Sequence, residues 1–333
     1  MRTALTTLAI ATLFTVPGFG QTDKTFYFSQ PASNTEITAM VTMIRTVADL
    51  QDITPDPDHQ AITARGPVDK LVAADWVFQQ LDHPPAPGPS PEYKIPGSHG
   101  EETVRVFRVS PTATNAELTA LTTAIRTVAD LQRLFPYQSR QAIIGRGAPD
   151  KMAAAEWLVR QLLPPEGQAP TGDSPTHPSF LTDNPSPRDV IQVLRMDPKT
   201  TTRELTETVT AIRTVADLQR LFPFDSEKAI VASGDPDKIA VAGWLVHELN
   251  QQPDADAARV HQTTMPGLID GVVRLFYTGG HADVTPLATK LRSTLDLQRL
   301  FPIPERSAVV LRGRPDQTTA AAALVAKFAV DAH

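Results

Sequence analysis

Apolar and polar positions follow the same order four times along the chain. Each copy begins with a short run rich in valine and aromatic residues, which favours a β-strand. A stretch with apolar residues at steps of three and four comes next, and it predicts an amphipathic helix. Two further short apolar runs, separated by a polar turn, lead into a second helical stretch. The pattern therefore predicts four α+β modules of order β-α-β-β-α, each a three-stranded sheet covered by two helices.

Identical strings of residues anchor the four copies. Arg-Thr-Val-Ala-Asp-Leu-Gln occurs at 45–51, 126–132 and 213–219, and the fourth copy begins its match at Arg292. Such repetition indicates one supersecondary unit used four times. A glycine closes the third predicted strand of each copy, and in three copies proline and aspartate come after it, as suits the first turn of a helix. These glycines are Gly66, Gly147, Gly234 and Gly313.

The first twenty residues resemble an export signal. Arg2 supplies a positive charge, residues 4–16 form a short apolar run, and residues 18–20 place small side chains before Gln21. These features in this order are typical of a cleaved signal peptide. We therefore expect a periplasmic or secreted protein, cleaved near Gly20, that is not an integral membrane protein afterwards.

Proline-rich segments separate the copies, most clearly over residues 84–100 and 164–187. Such composition is typical of semi-rigid, extended spacers. We therefore predict modules joined by linkers that lie outside the packed structure. The predicted divisions are a signal peptide at 1–20, modules 1 to 4 at 24–82, 103–163, 189–250 and 271–330, and linkers at 83–102, 164–188 and 251–270.

Bulk composition narrows the classes of function. Lysine and arginine total 31 against 37 aspartates and glutamates, so the formal net charge is −6. A surface of this sign gives no long-range attraction for phosphate backbones, and we expect no nucleic-acid partner. The chain has no cysteine, which removes disulfides, thiolate nucleophiles and cysteine-based metal sites.

The apolar pattern resembles the periplasmic N-domain repeat of bacterial secretins. The resemblance is carried by Ala-Ile-Ile-x-x-Gly from Ala142, by Pro-Asp followed by Ala-x-x-Leu-Val-x-x-Leu, and by the Leu81-Asp82 ending of copy one. It covers all four modules and does not extend to the membrane domain of that family. It implies a KH-like module fold and binding to partners or to further copies of the chain. It does not imply a channel.

Motifs for catalysis are not visible in the sequence. The eight histidines are not spaced as metal ligands, and Gly145-Arg146-Gly147 lacks the glycine pattern of a phosphate-binding loop. No copy shows the Gly-x-x-Gly loop with which KH domains bind nucleic acid. We therefore predict no enzyme activity, no metal site and no cofactor.

The anchor string repeats an arginine and an aspartate four residues apart. In a continuing helix each pair would form a surface ion pair worth ~0.3 kcal/mol, although aspartate can also stop the helix by bonding the backbone. The alternative is an interface that every module shares. The pairs proposed as candidate interaction residues are Arg126 with Asp130 and Arg213 with Asp217.

Three tryptophans occupy one position in the closing helices of modules 1 to 3, where module 4 has Ala323. On a helical wheel this position lies opposite the apolar arc that covers the sheet. One interpretation is ordinary core. We favour the other, that each tryptophan packs on the linker, the next module or a neighbouring subunit, and so carries assembly. The tryptophans are Trp76, Trp157 and Trp244.

These observations favour an exported scaffold or adaptor for protein–protein assembly in the periplasm or cell envelope. Expected partners are envelope or secretion proteins, or further copies in a homo-oligomer. The alternative function is a periplasmic glycan- or peptide-binding protein that uses grooves between modules.

Overall fold

The chain forms two compact units, residues 1–86 with module 1 and residues 87–333 with modules 2 to 4. The predicted signal peptide lies outside the described residues, as do parts of all three linkers. The structure, a computed structural model, describes residues 21–83, 90–97, 102–165, 176–179, 188–251, 259–278 and 283–331.

Module 1 is a three-stranded antiparallel sheet of order β1-β3-β2 with two helices packed on one face. This arrangement confirms the predicted β-α-β-β-α order. The first strand begins two residues before the predicted start of the module. The elements are β1 (Thr22–Tyr27), α1 (Asn34–Val47), β2 (Asp52–Asp56), β3 (Ala61–Gly66) and α2 (Val68–Asp82).

Modules 2 to 4 repeat this order with a fourth strand added beside the first. The sheet orders are β4-β5-β7-β6, β8-β9-β11-β10 and β12-β13-β15-β14. Module 2 contains β4 (Glu92–Lys94), β5 (Thr103–Arg108), α3 (Asn115–Val128), β6 (Arg133–Tyr137), β7 (Ala142–Gly147) and α4 (Pro149–Leu162). Module 3 contains β8 (His177–Pro178), β9 (Val190–Arg195), α5 (Thr202–Val215), β10 (Arg220–Phe224), β11 (Ala229–Gly234) and α6 (Pro236–Asn250). Module 4 contains β12 (Arg259–Thr264), β13 (Val272–Tyr277), α7 (Val284–Leu295), β14 (Arg299–Ile303), β15 (Ala308–Gly313) and α8 (Pro315–Asp331).

The added strands come from segments that the sequence assigned to linkers. β4, β8 and β12 each pair antiparallel with the first strand of the module that comes after them. The description of these linkers as spacers outside the packed structure therefore needs correction. Proline-rich composition does not prevent a short strand at a sheet edge, where the missing N–H can face away from the ladder.

The first helix of modules 1 to 3 begins at a capping box. In module 2 the Thr114 hydroxyl accepts from the Glu117 amide at 3.2 Å, and the Glu117 carboxylate accepts from the Thr114 amide at 2.7 Å. Two backbone N–H groups that helix geometry leaves unpaired are thereby satisfied. The equivalent pairs are Ser33 with Glu36 and Thr201 with Glu204.

The repeated Asp-Leu string ends that helix and builds the turn after it. Asp130 has φ of 52°, in the left-handed region that aspartate tolerates better than most residues. The next residue, Leu131, is buried and lies over Gly147, where a Cβ would come within 3.0 Å of the leucine side chain. All four modules share this pairing of a leucine with the glycine that closes the third strand. The other pairs are Leu50 with Gly66, Leu218 with Gly234 and Leu297 with Gly313.

The sheet of module 3 is buried on both faces. Ile230 and Ala232 face the helices of module 3, whereas Val193 and Val231 belong to the core of module 2. Val193 is fully buried in that core. Modules 2 and 3 therefore share one continuous hydrophobic core.

The same layering continues into module 4. Leu275 and Val310 of its sheet lie in one core with Val215 and Leu245, which belong to the helices of module 3. Modules 2 to 4 thus alternate sheet and helix layers, as repeat proteins do when each unit buries a face of its neighbour. Independent modules on tethers are the wrong description for this unit.

The faces that are apolar inside this series are polar on module 1 and module 4. Asp23 and Thr25 are exposed on the sheet of module 1 at the positions of Ile191 and Val193 in module 3. On α7 of module 4, exposed Lys290 and Thr294 replace buried residues of α5. These exposed polar faces differ from the buried apolar faces between modules 2, 3 and 4. The α5 residues are Ala211 and Val215.

Candidate interaction sites

The arginine of the anchor string bonds the backbone of its own module. A guanidinium nitrogen of Arg126 donates to the carbonyl of Leu134 in β6 at 2.6 Å. Arg45 and Arg292 make the same bond to Ile53 and Leu300, at 3.0 Å each. This bond ties the last turn of the first helix to the strand after it. Arg213 stands at the same position in the last turn of α5.

The aspartate of the string pairs with the closing helix. The helix ends two residues before Asp130, whose carboxylate accepts from Nζ of Lys151 in α4 at 2.8 Å. Asp217 pairs with Lys238 in α6 at 3.4 Å. The continuing helix that would bring arginine and aspartate together is therefore not formed, because the aspartate adopts the left-handed conformation.

Asp217 also reaches across the boundary between modules 3 and 4. Its carboxylate lies 3.3 Å from Arg299 at the start of β14. Arg306 of module 4 pairs in turn with Glu204 of module 3 at 3.1 Å. Among the four predicted interaction residues of the repeated string, Asp217 thus lies at the junction between modules 3 and 4.

Two arginines, one in β15 and one in β10, bind the C-terminal end of the first helix of the preceding module. Arg312 is buried and donates to the carbonyl of Val215 at 2.9 Å. Arg220 donates to the carbonyl of Thr127 at 3.0 Å. Each arginine satisfies a carbonyl in the last helical turn and places positive charge at the negative end of the helix dipole. The repeated string does not reveal these residues as a site, because their partners belong to the module before their own.

Two carboxyl groups near the boundaries between modules, Asp217 and Glu117, have a lowered pKa. Burial alone would raise the pKa of Asp217, but Lys238 and Arg299 lower it below its usual range. The pKa of Glu117 is lowered by the Thr114 backbone amide, with a further hydrogen bond from Ser226 of module 3. The deprotonated form of each carboxyl group is therefore more favourable in the folded chain than in the unfolded one.

We expect the unit of modules 2 to 4 to lose stability in acid. A carboxylate with a lowered folded-state pKa stabilises the fold above its unfolded-state pKa, and this contribution disappears as the pH falls through the folded-state pKa, below about pH 5. Thermal unfolding midpoints measured from pH 7 to pH 3 should decrease, and Asp217→Asn should make the decrease shallower. An unchanged slope in that variant would contradict the role of Asp217.

Trp157 contacts the linker strand that precedes module 3. Its ring lies 5.6 Å from the ring of His177 in β8, centre to centre. Trp157 is partly buried and also packs against the core that modules 2 and 3 share. Trp244 lies in the equivalent position at the core shared by modules 3 and 4. Trp76 is partly buried in α2 of module 1.

The contact between Trp157 and His177 predicts energetic coupling between a module and the next linker. In the full chain, Trp157→Ala and His177→Ala should together cost less than the sum of the single variants, with a coupling of about 0.5–1.5 kcal/mol. The measurement is a double-mutant cycle of unfolding free energies in denaturant. Additive effects would mean that Trp157 acts only as core.

One edge of each sheet carries proline. The edge strands β2, β6, β10 and β14 all have it at their fourth residue. Proline lacks an N–H, so it interrupts the row of donors and acceptors that another strand would need. The prolines are Pro55, Pro136, Pro223 and Pro302.

A small polar cleft lies where module 4 meets module 3. Its volume is about 140 Å³, below the 300–1,000 Å³ of ordinary ligand pockets. It is lined by Asp197, Lys199, Glu204, Asn250 and Arg306.

The described part of the chain offers neither a metal site nor a membrane span. Among those residues, no group of three or more His, Asp or Glu side chains is placed to hold a metal ion. No helix within the same residues is both long enough and apolar enough to cross a membrane.

Comparison with known proteins identifies no family for this chain. No family model matches it, and no curated protein matches it. Solved structures that it matches include the AspS–GspD pilotin–secretin complex of ETEC, at 15% identity and a TM-score of 0.17 over 74% of this chain and 40% of that one. The type II secretion system secretin GspD of E. coli K12 matches at 11% identity and a TM-score of 0.17, over 69% of this chain and 39% of that one. The chain thus spans about 40% of the length of these secretins.

Proposed function

We propose that this protein is exported and serves as a scaffold or adaptor on which proteins of the cell envelope assemble. The observation that carries the proposal is the continuous core of modules 2 to 4. Because Val193 and Val231 are buried in module 2, and Leu275 in module 3, neighbouring modules are held at fixed positions. A rigid series of similar modules presents similar surfaces at regular intervals, which suits the binding of several partners or one long partner.

The resemblance to secretin N-domain repeats supports the same proposal, since in that family the modules stack with further copies into rings in the periplasm. The alternative proposal is that the protein binds a glycan or a peptide between modules. The cleft at the boundary of modules 3 and 4 is the described feature that bears on it.

Export is tested by the intact mass of the protein expressed in its native host. A chain that begins near Gln21 and fractionates with the envelope is expected. Recovery of the uncleaved chain in the cytoplasm would overturn the proposal.

Assembly is tested by cross-linking in intact cells, with photo-reactive residues placed at exposed positions of modules 2 to 4. Discrete adducts of defined mass are expected, either with an envelope protein or with a second copy. A monomer without adducts that retains a small molecule in native mass spectrometry would favour the ligand-binding alternative.

A further inference from the structure

The first strand of module 1 lacks the neighbour that the other first strands have. β5, β9 and β13 are each flanked by an added strand on the side away from the centre of the sheet. Within residues 21–83, β1 pairs only with β3. The position that β4, β8 and β12 fill elsewhere is therefore open on module 1 in the described chain.

The edge of β1 has the features of a strand that accepts another. It is six residues long and contains no proline, unlike the opposite edge strands. Most of its side chains are exposed, and Tyr27 is 67% exposed. A sheet edge without proline presents an uninterrupted row of N–H and C=O groups, which is the template for pairing with a further strand.

The chemistry of the incoming strand can be read from modules 2 and 4. In module 2, Arg105 of β5 lies opposite Glu92 of the added strand and forms an ion pair with it. In module 4, Nε of Arg274 donates to Oε1 of Gln262, directly opposite on β12, at 2.8 Å. In both modules the added strand thus brings an oxygen acceptor to a cation of the first strand.

Lys24 is the corresponding cation of module 1. Arg105 also pairs with Glu156 of the closing helix, and Lys24 pairs with Asp75 at the same helical position, 3.0 Å away. The Lys24 side chain is 39% exposed at the open edge. Module 1 therefore repeats the ion pair between the first strand and the closing helix. An acceptor on an added strand would give Lys24 the second partner that Arg105 has.

We propose that β1 binds an extended segment of a partner protein as the fourth strand of module 1. The segment runs antiparallel to β1 and places a glutamate, aspartate or glutamine opposite Lys24. Backbone hydrogen bonds supply affinity, and the acceptor at Lys24 fixes register and selects the sequence. The partner is a different protein because the chain's own added strands already pair with β5, β9 and β13. This inference rests on the proposed scaffold function and names one surface that it uses.

The test uses the mature chain, residues 21–333, and a synthetic peptide of residues 90–97, Ser-Pro-Glu-Tyr-Lys-Ile-Pro-Gly. Hydrogen exchange of the β1 amides should slow as the peptide is added. Lys24→Glu should weaken binding about fivefold, and a peptide with Glu92→Lys should restore binding to that variant. Lys70→Glu, which reverses a partly exposed cation of α2 that pairs with Asp49 rather than with β1, is the matched control and should leave binding unchanged.

Binding that ignores the charge at Lys24, or no protection of β1 at millimolar peptide, would overturn the proposal. Concentration-dependent protection of β1 without peptide would overturn it too, by assigning the edge to a second copy. Protection of β1 in the uncleaved chain alone would instead assign it to residues 1–20. Peptide binding is independent of export and of envelope cross-linking, so failure of the scaffold function and failure of this docking site give different results.

Discussion

Val193→Asp should destabilise modules 2 and 3 together, by about 3–5 kcal/mol. Val193 lies on the sheet of module 3 but is buried in the core of module 2. A carboxylate there is removed from water without a partner, which costs several kcal/mol. Denaturant unfolding of the full chain gives the loss, and hydrogen exchange shows which helices lose protection.

Thr25→Asp in module 1 is the matched control. Thr25 occupies the same register position as Val193, opposite the central strand, but it is exposed. Its replacement should change the unfolding free energy by no more than about 0.5 kcal/mol. If Val193→Asp were as mild as this control, modules 2 and 3 would not share a core.

The second large effect is expected from exchanging the polar end faces for apolar ones. The triple variant Asp23→Ile, Thr25→Val and Thr63→Val gives module 1 the sheet face of module 3. Lys290→Ala, Thr294→Val and Ala323→Trp give module 4 the helix face of module 3. A chain that carries both sets should associate with further copies of itself, since the new face of module 1 is complementary to the new face of module 4.

Light scattering and sedimentation measure this association. Each triple variant alone should form much smaller assemblies than the variant with all six substitutions, because its one apolar face then meets a polar face. Equal association of a single triple variant would show that exposed apolar area, rather than complementarity between the faces, drives it.

The order of strands and helices could be predicted from the sequence because local rules determine it. Apolar residues at steps of three and four mark the first helix of a module, and a glycine followed by proline and aspartate marks the start of the second helix in modules 2 to 4. The repeated aspartate and leucine could be located but not explained, since the left-handed turn at Asp130 and the contact between Leu131 and Gly147 appear only in three dimensions.

The packing between modules left a signal in the sequence that periodicity alone did not resolve. Ala229 to Ala232 is a continuous apolar run, as expected of a strand buried on both faces. In the same strand of module 1 the apolar run is interrupted by Thr63, which lies between Ile62 and Ala64. The difference accounts for the exposed sheet face of module 1.

Two of the three added strands were missed for another reason. β4 and β8 have only three and two residues, too few for any periodic pattern. They are held by backbone bonds to a neighbour rather than by their own apolar side chains. Lys24 was also missed. Its equivalence to Arg105 and Arg274 is seen only when the first strands of the folded modules are compared.

The position of each linker strand has a consequence for the order in which the chain folds. In the folded chain the sheet of module 3 packs on the helices of module 2, so these two surfaces must find each other during folding. Modules this similar in sequence risk docking on the wrong neighbour, a known failure of repeat proteins. β8 contacts Trp157 behind it and pairs with β9 ahead of it. A strand tethered at both points raises the effective concentration of the nearest sheet at the helices of module 2, and we therefore expect it to favour docking in chain order.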